Sequence, residues 1–365
     1  MTLSNFWWIL IWPFLFGLLS LIINMQHDEV VDGERCVRWH IFAACALVVP
    51  LVIWAGWRKG FVDTETYRAI FKGMPTDANQ IGPYMETVTK GYGFYFLELC
   101  FKCFISNSDV AFFTVIAVIQ IICLVYVYRK YSIDYWFSLF LFIASTDYLA
   151  WMHNGIRQFL AVSILFLCVP MIAKKKYVLP VILVLLASLI HSASLIFLPV
   201  IFIVNGISWN LRTMAFLLGI VVAVLFVDRI TGFLTEAMRD TAYEGDIEFL
   251  QNDDGTNILR VLFYSVPTIM AWFFRPYIEQ EENPLINVCV NLSIVSTGFY
   301  IFSFFSSGIL MGSIPIYFSL SNYILIPWLM EKVFDHDSAV LLKVIFIAVY
   351  SLFFIYQCGP VWGLL

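Results

Sequence analysis

Charge is scarce in this sequence. Of its 365 residues 13% are Asp, Glu, Lys or Arg, against 61% hydrophobic ones, and mean hydropathy is +0.85. A soluble domain carries about 25% charged and roughly 45–50% apolar residues, so an ordinary soluble globule is excluded. Also missing is any sustained alternation of polar and apolar residues. The strands of an outer-membrane barrel, about ten residues each, need that alternation. The amino terminus, M-T-L-S-N-F-W-W-I-L-I-W, lacks a basic region and a small-residue cleavage site. It therefore reads as a retained first span and not as a leader peptide. Four of the eight cysteines (Cys45, Cys123, Cys168 and Cys289) lie inside apolar runs. Their spacing gives neither a zinc site nor a disulfide framework. No nucleotide-binding glycine loop is present, and the net charge of −5 sits in a few loops and gives no basic surface for nucleic acid.

What the sequence does have is long apolar runs. A hydrocarbon core about 30 Å thick needs roughly 20 apolar residues per helix, and spanning backbones must satisfy their own hydrogen bonds. The expected fold class is an all-α polytopic membrane protein, one domain over residues 1–365, with about 10–12 transmembrane or re-entrant helices. Spans are expected at 5–24, 39–57, 110–128, 134–150, 157–173, 177–204, 213–228, 257–274, 285–305, 314–330 and 339–357. The run 177–204 is long for one span; a bent or re-entrant pair is the alternative, with His191 in its middle. Three polar stretches interrupt the runs. They are 25–38, an outer loop at 58–109 with the amphipathic piece Y-G-F-Y-F-L-E-L-C-F-K-C-F, and an acidic loop at 229–256. The amphipathic piece is expected to lie in the membrane interface.

Short basic loops set the orientation. Arg129–Lys130 and Lys174–Lys176 read as cytoplasmic by the positive-inside rule. The segment W-M-H-N-G-I-R-Q, residues 151–158, then opens outward, and so does the 58–109 loop, although that loop's own Lys and Arg run against the rule. If 177–204 turns back, the acidic loop lies outside and Arg212, Arg275 and Lys332 lie inside.

Arg157 stands at the mouth of an otherwise apolar segment. Seventeen residues separate it from Lys174, and fifteen separate Lys176 from His191. At 1.5 Å per residue each leg climbs about 22–26 Å, so Arg157 and His191 are expected at one depth on two adjacent helices. A lone arginine at a helix end often only snorkels, and a buried histidine can be neutral and bonded to a nearby serine. Yet ionisable groups inside a membrane are costly and therefore functional candidates. His153, one turn before Arg157, is expected to share its face. Gln158, one residue on, points to another face. A guanidinium fork matches phosphate oxygens, and histidine exchanges protons near neutrality. Such a pair suits transfer from a lipid pyrophosphate, but equally an acyltransferase or an anion transporter.

The elements I-R-Q-F-L-A (156–161), K-K-K-Y (174–177) and S-L-I-H-S-A-S-L-I-F-L-P (188–199) resemble the EpsG family, relatives of Wzy-type polymerases from exopolysaccharide and O-antigen clusters. V-D-T-E-T-Y (62–67) resembles that family's Asp-Thr-x-x-Tyr element, and G-Y-G-F-Y-F (91–96) its glycine-aromatic entry to an amphipathic stretch. The resemblance implies a polymerase in the bacterial inner membrane, working at the periplasmic or outer face on undecaprenyl-pyrophosphate-linked oligosaccharide repeat units. It implies no metal, no nucleotide and no other cofactor. Flippase and chain-length regulator proteins are the partners it suggests, beside membrane lipid. On this reading Arg157 binds pyrophosphate, His191 orients that contact or moves a proton, and Asp63 is either the base for the acceptor hydroxyl or a helix cap. Tyr67 stacks on sugar or anchors the loop, and His153 and Gln158 are secondary contacts. The family pattern places an arginine four residues before a Tyr-Phe pair. Here the pair is Tyr317–Phe318 and the position holds Ser313. A second cationic contact is then missing or supplied from elsewhere, with Arg260 the candidate. A lipid-linked oligosaccharide flippase, or a single-transfer ligase or acyltransferase, stays open as the alternative.

Overall fold

The computed structural model describes residues 6–31, 34–239, 241, 244–251 and 253–365. Helices make up 79% of the chain. Among the described residues the only strands are an antiparallel pair, Gln26–Val31 and Glu34–Trp39, in the register Gln26↔Trp39. The 25–38 stretch is thus a hairpin. Its Asp32 and Gly33 lie outside the described residues, as do Asn5 of the first expected span and Asp240, Ala242, Tyr243 and Asn252 of the acidic loop.

Among the described residues four helices are long and apolar enough to cross a membrane: Asp109–Tyr131, Ile156–Ala173, Pro284–Phe305 and His336–Val361. Two further apolar runs are bent. Leu211–Leu225 meets Val227–Met238 at 87°, and Ile258–Phe273 meets Arg275–Glu281 at 67°. Shorter apolar helices cover Trp7–Ile22, Ile41–Trp57, Tyr135–Ala144, Val178–Ile190 and Ser192–Val204. The chain is a multi-pass, all-α membrane protein of the expected kind. The run 177–204 is not one continuous helix, because it stops at Ile190 and restarts at Ser192 with His191 in the break. Polar side chains cap the helix starts, as orphan N–H groups require. Ser108 accepts from Ala111, Asp134 from Phe137 and Asn283 from Leu285 and Ile286. Asp335, in the sequence's Asp-His-Asp triplet at 335–337, caps in the same way by accepting from Ser338.

The chain divides into two compact units. The first comprises Met1–Leu167, Leu186–Ser192 and Met330–Leu365, the second Cys168–Leu185 and Ala193–Leu329. In the first unit, the polar tips of aromatic side chains find backbone carbonyls inside an apolar bundle, as buried hydroxyl and indole groups must. Tyr135 donates to Ala44 O at 3.0 Å, Trp136 to Pro13 O at 2.8 Å, and Tyr148 to Leu51 O. Lys343 pairs with the capping Asp134 at 2.5 Å. In the second unit the buried helix Pro284–Phe305 carries Asn291. Its amide donates to Val204 O and Ile207 O and accepts from the Trp209 N–H. Phe318 stacks between Phe197 and Phe299, with centroids 5.7 and 5.8 Å away.

The 58–109 loop of the first unit is largely helical: Thr64–Gly73, Ala78–Gln80, Ile81–Glu86 and Tyr92–Phe104. The last of these buries Phe94, Glu98, Leu99, Phe101 and Lys102. Its i, i+4 spacing therefore turns two charged residues inward together with the aromatic ones. Lys102 Nζ donates to the carbonyls of Phe71, Lys72 and Met74 at 2.5, 2.9 and 2.6 Å. These carbonyls lie at and just past the end of Thr64–Gly73, where the helix dipole also favours a cation. Lys102→Met keeps the stem and removes the donors. A hydrogen bond to a charged group is worth roughly 1.5–3 kcal/mol, so this variant is expected to unfold at a lower temperature in detergent. An unchanged midpoint would show that those carbonyls find other partners.

Candidate functional site

The site is built from three elements of the first unit. The first begins at Val62, a β-branched residue held at φ 31°, where the chain turns into Thr64–Gly73. Such a residue at positive φ is strained. The strain accompanies a sharp entry that leaves Asp63 exposed, its side chain making no cap hydrogen bond. The capping role open for Asp63 in the sequence is thus not taken up. Its backbone N–H instead bonds Asn154 Oδ1 at 3.2 Å. One turn on, Tyr67 is buried in a cluster with Phe71, Phe94, Phe101 and Phe112.

The second element is Tyr92–Phe104, entered through Gly91 at φ +71°. Only glycine takes that left-handed conformation without strain. A Cβ at Gly91 would also lie 3.1 Å from Arg157 Nη1 and 3.6 Å from Ile190 O. At Gly93 a Cβ would come within 2.8–2.9 Å of the Leu189 side chain and backbone. The G-Y-G sequence therefore lets this helix lie directly on the end of Val178–Ile190, next to His191.

The third element is the helix Ile156–Phe166, which presents Arg157. Its Cζ lies 5.5 Å from the centre of the Tyr95 ring and 6.0 Å from that of Tyr67. Arg157 also donates a hydrogen bond to the Tyr67 hydroxyl. Cation–π contacts of this kind are worth about 0.5–1 kcal/mol when exposed and about 2 when desolvated. They hold the guanidinium plane without neutralising it. Its Nε is buried and has no hydrogen-bond partner among the described residues. Arg157 and Lys90 are the cations that act on the His191 ring, and Arg157 also acts on the Glu98 carboxyl. Burial pushes the pKa of the Tyr67 hydroxyl up, against the pull of Arg157. Asp63, at the start of the same helix, adds its negative field.

The structure thus brings Arg157, His191, Tyr67 and Asp63 into one neighbourhood. His153 lies elsewhere. Residues 148–154 form a π-helical turn that ends at a non-helical Gly155, so the expected shared α-helical face with Arg157 does not form. The His153 ring is fully buried between Tyr148 and Phe61, and Nδ1 meets Tyr148 O at 3.1 Å. Gln158 is buried, and adjacent helical residues point about 100° apart, so it lies off the Arg157 face. Arg260 belongs to the second unit, near the start of Ile258–Phe273; its Nε is buried without a hydrogen-bond partner among the described residues. Tyr95 and Glu98 were not singled out from the sequence. The available signal was one acid, three residues after a tyrosine, on the buried face of an amphipathic helix. Among the described residues no group of three or more His, Cys, Asp and Glu side chains is placed to hold a metal.

Chemically, an arginine fork beside a histidine, flanked by tyrosines and enclosed by apolar side chains, is suited to a phosphate-bearing ligand. The fold and this cluster define a helical, multi-pass membrane protein with a cationic, aromatic-lined site. The EpsG family profile matches residues 41–358, which include every residue of the cluster. The chain belongs to the EpsG family, whose members are Wzy-type polymerases, and membership points to a glycosyltransferase-like polysaccharide polymerase. Comparison with curated proteins and with solved structures gave no match.

The close approach at Gly93 can be tested directly. Gly93→Ala forces a Cβ against Leu189 backbone, and overpacking of this kind costs roughly 1–3 kcal/mol. Gly82 has nothing within 4 Å of its would-be Cβ. Gly93→Ala is expected to lower the unfolding midpoint in detergent while Gly82→Ala leaves it in place; equal midpoints would contradict the contact.

Proposed function

We propose that this chain, as one integral membrane domain, polymerises undecaprenyl-pyrophosphate-linked oligosaccharide repeat units at the outer face of the bacterial inner membrane. The growing chain is the donor. An acceptor hydroxyl of the incoming unit attacks the anomeric carbon, the glycosidic bond forms, and the bond to the pyrophosphate oxygen breaks with its electron pair leaving on the pyrophosphate. Arg157 binds that pyrophosphate and stabilises the charge that develops on it, the usual work of a fixed cation at a leaving group. His191 orients the contact or moves a proton. Tyr67 and Tyr95 hold the guanidinium plane, and Tyr67 stacks on a sugar or anchors the loop. Asp63 is exposed at the entry and is the candidate to accept the acceptor's proton. Gln158, His153 and Arg260 are proposed as secondary contacts; within the first unit, Gln158 and His153 stand off the Arg157 face. Flippase and chain-length regulator proteins are the proposed partners.

The observation that carries this reading is the Arg157 guanidinium, clamped by two tyrosines beside His191 and left with an unpartnered Nε, within the stretch that the family profile covers.

Arg157→Lys separates gripping from snorkelling. Lysine keeps the charge and loses the planar fork and the stacking between the tyrosines. A lost charge-assisted hydrogen bond costs roughly 1.5–3 kcal/mol, about 10- to 150-fold in rate. Membranes with matched amounts of each variant are supplied with lipid-linked repeat units, and the products are resolved on a gel. Arg157→Lys and His191→Ala are expected to shorten or abolish the ladder, and Gln158→Ala to be milder. A full ladder from Arg157→Lys would leave the arginine as an interface anchor. A single added unit from the wild type would point to a ligase, and movement across the membrane without a new bond to a flippase.

A further inference from the structure

Glu98, on which the charge of Arg157 acts, has no part in the proposed chemistry. It is 0% exposed, and neither carboxyl oxygen has a hydrogen-bond partner among the described residues. It sits on the buried face of Tyr92–Phe104, three residues after the Tyr95 that faces Arg157. Lys102, one turn further on, has its ammonium committed to three backbone carbonyls. Tyr84, on the helix Ile81–Glu86, lies within the field of Glu98. From Thr64–Gly73 the titratable group on the Arg157 side is Tyr67. Asp77 and Glu86, on the neighbouring turns, are exposed. The charges that act on Glu98 are therefore those of Arg157 and Lys102.

A buried carboxylate without hydrogen bonds is costly, and such a group takes up a proton instead. Burial pushes Glu98 up to about 8, against the opposing pull of Arg157 and then Lys102. Near neutrality the group is thus mostly the neutral acid, and the charge of Arg157 is not cancelled from within the protein.

We propose that Glu98 is the positioning partner of Arg157: as a neutral acid it leaves the guanidinium's charge to an anionic pyrophosphate, and as a carboxylate it competes with that ligand. This rests on the reading of Arg157 as the pyrophosphate site. A bound pyrophosphate offsets the Arg157 charge that favours ionised Glu98, so the complex holds the Glu98 proton more tightly than the free protein. Binding is then linked to proton uptake. The sign follows. The carboxyl ionises with rising pH more readily in the free protein, so affinity is full below its free-state value and falls as pH rises through about 8. One pH unit beyond that value the loss is roughly tenfold.

The test is binding of farnesyl pyrophosphate to the full-length protein in detergent, by calorimetry at pH 7 and pH 9 in buffers of different ionisation enthalpy. The wild type is expected to bind about tenfold more weakly at pH 9 and to take up protons there, while Glu98→Gln, isosteric with the neutral acid, binds at pH 9 as it does at pH 7 and takes up none. Near neutrality glutamine replaces a neutral acid of the same shape, so Glu98→Gln should keep the wild-type unfolding midpoint at pH 7; a merely structural role would lower it without changing the pH dependence. Wild-type binding that depends on Arg157 but takes up no proton at pH 9 would overturn the role of Glu98 and leave the Arg157 reading intact. The same pH dependence in Glu98→Gln as in the wild type would do so too. Absence of binding at both pH values would remove the Arg157 reading and this proposal with it.

Discussion

A guanidinium that must stay charged inside a greasy bundle is the constraint around which the first unit is organised. Arginine does not lose its proton in proteins, so the chain cannot lower the cost by neutralising Arg157 and has to surround it. It does so with ring faces and a hydroxyl, not with an ionised carboxylate. Tyr95 and Tyr67 contribute quadrupoles, and Tyr67 a hydrogen bond. Each of these stabilises the cation while leaving its net charge available. A salt bridge would stabilise it more strongly and would also spend that charge. The nearest carboxyl, Glu98, is buried where the neutral acid is favoured, which is consistent with the same design.

The second requirement is proximity, and glycine meets it. Tyr95 reaches Arg157 only if Tyr92–Phe104 lies on the end of Val178–Ile190. A Cβ at Gly93 would overlap Leu189, and one at Gly91 would crowd the guanidinium itself. The break at His191 belongs to this contact. The helix ends where the amphipathic one crosses it, and the histidine is left at the end, within the field of Arg157. A short backbone motif in the 58–109 loop thus decides where a side chain of a different helix stands.

Much of this was legible in the sequence. The apolar runs gave the fold class, because a long hydrophobic run has few other uses and its helical length follows from the bilayer. Arg157 and His191 could be placed near each other by counting residues to the lysine cluster, since helix rise is nearly constant. What failed did so where the helix is not regular. His153 was placed one α-turn from Arg157, but a π-helical turn and the non-helical Gly155 take it into a separate pocket of Tyr148 and Phe61. The bends near Phe226 and Phe274 and the hairpin around 26–39 were also out of reach. Hydropathy records how apolar a segment is and not the direction in which its axis continues.

Glu98 and Lys102 show a different limit. Four residues apart on one helix, they have the spacing at which opposite charges pair on an exposed helix face. In the structure both face inward and they do different things, because their surroundings differ. Lys102 lies under the end of Thr64–Gly73, where three carbonyls and the negative pole of that helix suit an ammonium. Glu98 lies one turn earlier, fully buried with neither oxygen hydrogen-bonded among the described residues, and the pull of Arg157 and Lys102 does not offset that burial. The same spacing that would pair them in water therefore separates their fates in the bundle. One residue becomes a fixed structural cation and the other an acid whose charge depends on what occupies Arg157.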